Sequence, residues 1–223
     1  MAWFSKRLNS SIGLKFLMAI TGLMLLGFVA THLSGNLLIY QGSEAINNYA
    51  RGLRALPLEL LNVLRAGLLV VFIVHVFTAV KLQLANKEAR PVKYSFGHTI
   101  QASMASRTMI FSGLLILFFI VFHLAHYTWH MVHPVPPLAD GQPDVYKMVI
   151  AGFSQVHLSV TYIVAMVVLG FHLQHGISSA IQTIGINHKK YAQLISVGGC
   201  LVAWALALGN ISIPVSVMMG IVQ

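Results

Sequence analysis

Four stretches of this chain contain no Asp, Glu, Lys or Arg: Phe16 to Ser43, Thr108 to Ala139, Met148 to His188, and Tyr191 to Gln223. Each exceeds the roughly 20 apolar residues a helix needs to cross a bilayer. A fifth segment, Leu60 to Leu84, qualifies with Arg65 near one end and Lys81 snorkelling at the other. In hydrocarbon each backbone N–H and C=O must be paired inside the segment, so these stretches have to be helices. The expected fold is an all-α integral membrane protein with five transmembrane helices, near 14–39, 60–84, 107–132, 153–183 and 191–219. They make one transmembrane domain covering residues 1–223. Only 9% of the residues are charged, against about 25% in a soluble domain.

The net charge of +9 invites a nucleic-acid reading, which its distribution argues against. With the N-terminus inside, Lys6, Arg7, Lys15, Lys81, Lys87, Arg90, Lys93, Arg107, Lys189 and Lys190 fall on the inner side. Arg51, Arg54, Arg65 and Lys147 fall outside, with Glu44, Glu59, Asp140 and Asp144. That is the positive-inside pattern, and it predicts a cytoplasmic N-terminus and an outside C-terminus. The opening "MAWFSKRLNSSIGLK" reads as an interfacial lead-in to the first span, not a removed signal. Of the connections, "QGSEAINNYARGLRALP" predicts a short amphipathic helix on the outer surface. The proline-rich "HPVPPLADGQPDVYK" predicts an extended outer loop, and "ANKEARPVKYSFGHTIQASMAS" a basic inner loop.

Eleven histidines punctuate this apolar chain. The densest cluster, "HLAHYTWHMVH", puts His123, His126, His130 and His133 on one face if the helix continues through it. A more telling set is His32, His75, His123 and His172, each deep in a different span, where ionisable groups are rare and usually functional. At 1.5 Å per residue, His32 lies about 25 Å above Lys15 and His123 about 24 Å above Arg107. His75 is only about 9 Å above Lys81, and His172 about 15 Å above Gln182. The four therefore sort into two layers, His32 with His123 near the outer face and His75 with His172 nearer the inner one.

Two facing neutral imidazoles suit a six-coordinate haem iron, and a four-helix bundle places such pairs in its core, with the fifth helix packed outside. Small residues that leave room for a macrocycle are present: Gly22, Gly27, Ala30, Ser34 and Gly35 around His32, Gly113 before His123, Gly170 and Gly176 around His172. Cys200 is the only cysteine, which excludes a disulfide framework, iron–sulfur ligation and covalent haem attachment through C-x-x-C-H. His175 and His126 compete with His172 and His123 as ligands three residues away; depth favours His172 and His123. His98 and His188 read as surface groups and His157 as interfacial.

The segments "SSIGLKFLMAITGLMLLGFVATHLSGNLL", "VFIVHVFTAVKLQLANKEARP", "FFIVFHLAHYTWH" and "GFHLQHGISSAIQTIGI" resemble the cytochrome b membrane anchor of succinate:quinone oxidoreductases (succinate dehydrogenase and fumarate reductase). The similarity is to the single-subunit, five-helix, di-haem type and covers nearly the whole chain. It implies two haem b groups, the proximal one held by His75 and His172 and the distal one by His32 and His123. It also implies a flavoprotein subunit and an iron–sulfur subunit on the cytoplasmic face of a bacterial inner membrane, and a quinone, often menaquinone, as the membrane substrate. Lys15, Ser10, Ser11, Arg107 and His175 are candidates for the haem propionates; His126, His130, Tyr127, Trp129 and Glu59 are candidates for the quinone vicinity. One feature of some family members, an intramembrane acid beside the fourth helix's ligand, has no counterpart in "VVLGFHLQHG".

Two other functions share parts of the pattern. A di-haem cytochrome b serving a hydrogenase or formate dehydrogenase would differ only in its docking surface. A histidine-rich metal or proton transporter is disfavoured by the lack of intramembrane acids and of repeated halves.

Overall fold

The structure is a computed structural model that describes residues 10–89, 107–186 and 188–223. The basic N-terminal lead-in and most of the inner loop, with Arg90, Lys93 and His98, lie outside the described residues. Helices are α1 (Ser11–Asn36), α2 (Ser43–Arg54), α3 (Leu58–Glu88), α4 (Met109–Tyr127), α5 (Val145–Phe153), α6 (Val156–Thr183) and α7 (Lys189–Met218), with a 3-10 turn Leu37–Gln41 after α1. Five of them, α1 with its 3-10 extension, α3, α4, α6 and α7, are long and apolar enough to span a membrane. The chain is thus a multi-pass, all-α membrane protein.

Local chemistry sets the helix ends. Ser10 caps α1 by accepting the Gly13 N–H at 3.1 Å, and Gly42 at φ 97° takes the chain from the 3-10 turn into α2. Pro57 precedes α3, and Asp144 caps α5 by accepting the Lys147 N–H at 3.1 Å. Outward faces are apolar throughout: Val63, Val70 and Phe77 on α3, Phe111 and Phe118 on α4, and Leu194, Leu201 and Leu208 on α7 are all exposed. Such faces are stable only against lipid.

Helices α1, α3, α4 and α6 form a ring in which α1 packs on α3 and α6, α4 packs on α6, and α3 touches α4 only sparsely. Helix α7 lies outside the ring, against most of α6 and part of α1. Small residues allow that approach. A Cβ on Gly199 would stand 2.8 Å from Ser178 Oγ, one on Gly170 3.2 Å from Ala207 Cβ, and one on Gly209 2.8 Å from Leu33. The expectation of a four-helix bundle with a fifth helix outside matches this arrangement.

One end of the ring carries a folded cap built from the 3-10 turn, α2, α5 and the C-terminus. Its apolar centre holds Ile39, Ile46, Phe153, Ile213, Val217 and Val222. The Asn47 amide donates to Asp144 at 3.1 Å and accepts the Tyr146 N–H at 3.2 Å, while the Tyr146 hydroxyl donates to the Gln223 carbonyl at 2.7 Å. A cavity of about 610 Å³ lies in this cap, beside Asn47, Asp144 and Ile150, with no histidine among its described lining residues.

Three sequence expectations need correction here. The third span ends at Tyr127 and not near 132: Trp129 N–H reaches back to Leu124 O and Met131 N–H to Ala125 O, an unwinding last turn that leaves His130 and His133 at φ 53°. The four histidines of "HLAHYTWHMVH" therefore do not share a helical face. The fourth span begins at Val156, since the chain breaks between α5 and α6 and the buried Ser159 hydroxyl donates across the break to Phe153 O at 2.6 Å. The proline-rich loop is irregular over 134–138, but its second part leads into α5 where an extended chain was expected. The amphipathic helix expected in the first loop is present as α2.

Candidate functional site

The site is built in two layers along the ring, the upper one next to the cap. In the lower layer, His75 on α3 and His172 on α6 are held by hydroxyls from the neighbouring spans. Thr21 Oγ1 on α1 donates to Leu17 O at 2.8 Å and stands 3.1 Å from His75 Nδ1. Ser112 Oγ on α4 donates to Met109 O at 3.0 Å and stands 3.0 Å from His172 Nδ1. A hydroxyl has one proton, and in both cases a helix carbonyl lies within reach of it. With that proton on the carbonyl, each oxygen accepts from the imidazole Nδ1–H and leaves Nε2 bare, the arrangement in which an outer partner orients a ligating histidine.

Glycines seat both rings. A Cβ on Gly22 would lie 3.2 Å from His75 Cε1, and one on Gly113 3.5 Å from His172 Cε1. Beside His75, the Thr78 side chain is buried and bonded to Val74 O at 2.8 Å.

In the upper layer, His32 on α1 and His123 on α4 meet with ring centres 5.8 Å apart and planes at 89°. His32 stacks on Phe28 at 5.4 Å and stays open on its other side. His123 Nδ1 lies 3.2 Å from the Tyr162 hydroxyl of α6, and His126 Nδ1 lies 3.1 Å from that same oxygen. The buried Tyr162 ring is clamped by Phe119 and Phe153, each at 5.0 Å between centres. The His126 and Tyr127 rings stack at 4.0 Å beneath Gly152, and Tyr127 Oη is the one buried side-chain polar atom without a partner among the described residues.

The four deep histidines thus fall into the two expected layers. Among the described residues no group of three or more His, Cys, Asp or Glu is placed to hold a metal ion. His126, a candidate for the quinone vicinity, is buried at 3% exposure with its Nδ1 against the Tyr162 hydroxyl. Trp129, His130 and Glu59 are exposed at the capped end, the first at 52%. At the opposite end Lys15, Ser11 and Arg107 are exposed, the Ser10 hydroxyl is engaged as a helix cap, and His175 is half-buried one turn below His172. His157 and His188 are exposed as expected, and His188 Nδ1 accepts the Lys190 N–H at 3.2 Å.

Sequence reasoning missed Thr21, Ser112, Tyr162 and Gly152. A signal for the first two was available. Thr21-Gly22 precedes His32, and Ser112-Gly113 precedes His123, by the same eleven-residue interval. Searches of protein-family models, curated proteins and solved structures found no match to this chain.

Proposed function

We propose that this chain is a di-haem cytochrome b, the membrane anchor of a succinate:quinone oxidoreductase in a bacterial cytoplasmic membrane. The observation that carries the reading is the lower layer: two imidazoles on separate helices, each with Nδ1 against a hydroxyl that has a helix carbonyl to donate to, an arrangement that favours a bare Nε2. Paired ligands without a third protein donor suit a planar cofactor that fills the remaining positions itself. The sparse contact between α3 and α4, and the glycines at the ring edges, leave room for it. His75 and His172 would hold the lower haem, His32 and His123 the upper one.

When bound, haem supplies reversible one-electron storage at each layer. The chain's own part is to orient four imidazoles, keep water out of the ring with apolar walls, and set the two sites in series across the bilayer. Thr21 and His32 are eleven residues apart on one helix, which places the layers about 16 Å apart. In this reading the lower end faces the cytoplasm, where an iron–sulfur subunit and a flavoprotein subunit dock. Lys15, Arg107 and His175 are the candidates there for haem carboxylates. A quinone, menaquinone in this type, exchanges electrons near the capped end, with Trp129, His130 and Glu59 on its approach and His126 and Tyr127 behind them.

A reduced-minus-oxidised spectrum with haem quantification of the protein purified from membranes tests the reading. Two b-type haems per chain and copurification of a flavoprotein are expected, and His75→Ala should leave one haem. Absence of a b-type α-band overturns the assignment.

A further inference from the structure

The two layers differ in how their ligands are fixed. In the lower layer each supporting hydroxyl also has a carbonyl of its own helix to take its proton. In the upper layer the Tyr162 hydroxyl has no carbonyl partner and lies between two imidazole nitrogens, His123 Nδ1 at 3.2 Å and His126 Nδ1 at 3.1 Å. One proton cannot satisfy two acceptors. When the hydroxyl donates to one ring and accepts from the other, its proton and both ring nitrogens are satisfied and the two histidines hold opposite tautomers.

Geometry decides which is which. His123 faces His32 across the ring at 5.8 Å. His126 is turned to the cap instead, where its Cε1 and Nε2 lie 2.8 and 2.9 Å from the Cβ position of Gly152. Only His123 has a facing imidazole with which to share a metal. We propose that Tyr162 is the positioning residue of the upper pair: it accepts the His123 Nδ1–H and gives its own proton to His126 Nδ1. His126 is then not a rival ligand but the proton acceptor that makes His123 one. This deepens the di-haem reading and rests on it.

Acceptance of Nδ1–H by an oxygen makes the ligand a stronger electron donor and favours oxidised iron. The test is a redox titration of the full complex in detergent, following the two haem α-bands separately. In Tyr162→Phe the upper haem is expected to titrate at a higher potential while the lower one is unmoved. An unchanged upper haem overturns the proposal. Because loss of the hydroxyl can also cost the upper haem outright, two variants at the far end of the relay keep the test open. Asparagine at His126 sets its carbonyl oxygen where Nδ1 lies and can accept the tyrosine proton; leucine cannot. His126→Asn is expected to keep the wild-type upper potential and His126→Leu to shift it. Equal behaviour of the pair overturns the proposal. Wild-type complex lacking b-type haem overturns the functional reading itself, a result separable from any shift between variants.

Discussion

Gly152 offers the sharpest test of the packing at the capped end. It is the next-to-last residue of α5, and a methyl group there would meet His126 Cε1 at 2.8 Å, His126 Nε2 at 2.9 Å and Tyr127 Oη at 3.0 Å. Unstrained carbon contacts need about 3.5–4.0 Å, so something must move by roughly 0.5–1 Å. Neither ring can yield alone. They are stacked at 4.0 Å, and His126 is bonded to Tyr162, whose ring is wedged between two phenylalanines. Overpacking of this kind costs about 1–3 kcal/mol. Against it, alanine gains up to about 1 kcal/mol over glycine inside a helix, and less in a last turn. The net expectation for Gly152→Ala is about 1 kcal/mol of destabilisation, a fall of about 2–4 °C in melting temperature at this chain length. Gly67→Ala, inside α3 with no atom within 4 Å of the added methyl, is the matched control and should melt no lower than wild type. Far-UV circular dichroism of detergent-solubilised protein at one scan rate measures both. If Gly152→Ala melts as high as Gly67→Ala, the contact argument for the upper layer is wrong.

Three further predictions concern the opposite layer and the cap. Thr21→Val keeps shape but removes the acceptor of His75 Nδ1–H, and lower-haem affinity should fall about 10–100-fold with the upper haem retained, as read by haem loss to an apoprotein scavenger. Asp144 is buried, which pushes its carboxyl up, but the Lys147 N–H, the Asn47 amide and the Lys147 charge outweigh this and hold it below the usual carboxylate range. Its contribution is thus complete above the unfolded-state value and is lost as pH falls through the depressed one. Hydrogen exchange of α2 and α5 should rise over that acidic window, and Asp144→Asn should flatten the rise. The exposed Arg51–Asp140 pair, 2.8 Å long, sits in the same cap, yet Arg51→Ala should cost less than about 1 kcal/mol in the thermal melt.

The spans were readable because lipid leaves the backbone no alternative, and a charge-free run of that length has one solution. Their ends were less readable where tertiary contacts decide them. The third span looked continuous through His133 because Thr128, Trp129 and Met131 are all compatible with a helix. What stops it at Tyr127 is the cap, which needs the chain to turn across α5. Likewise "VYKMVIAGF" joins a longer apolar run: the Asp144 cap starts α5, and the Ser159 bond to Phe153 O marks its break from α6. The histidine layers emerged from depth alone, since 1.5 Å per residue is a reliable ruler. Tyr162 did not, because a tyrosine in a span usually signifies a packed ring, and nothing near it in sequence announces two histidines on another helix.

The eleven-residue interval carries the argument one step further. Eleven residues are just over three full turns, so on α1 Thr21 and His32 face the same way, as do Ser112 and His123 on α4. Each of these helices therefore serves both layers: a hydroxyl and a glycine to seat another helix's histidine below, and its own histidine above. The helices α3 and α6 supply the lower histidines, and α6 adds Tyr162 ten residues before His172. No layer is assembled without at least three helices. A rotation of α1 or α4 by one residue would displace a supporting hydroxyl and a facing histidine together. The two sites are thus coupled through the rigid rise of two helices. That coupling explains why polar residues so sparse in this chain recur at matched heights: the register of the bundle is set by the same residues that form its sites.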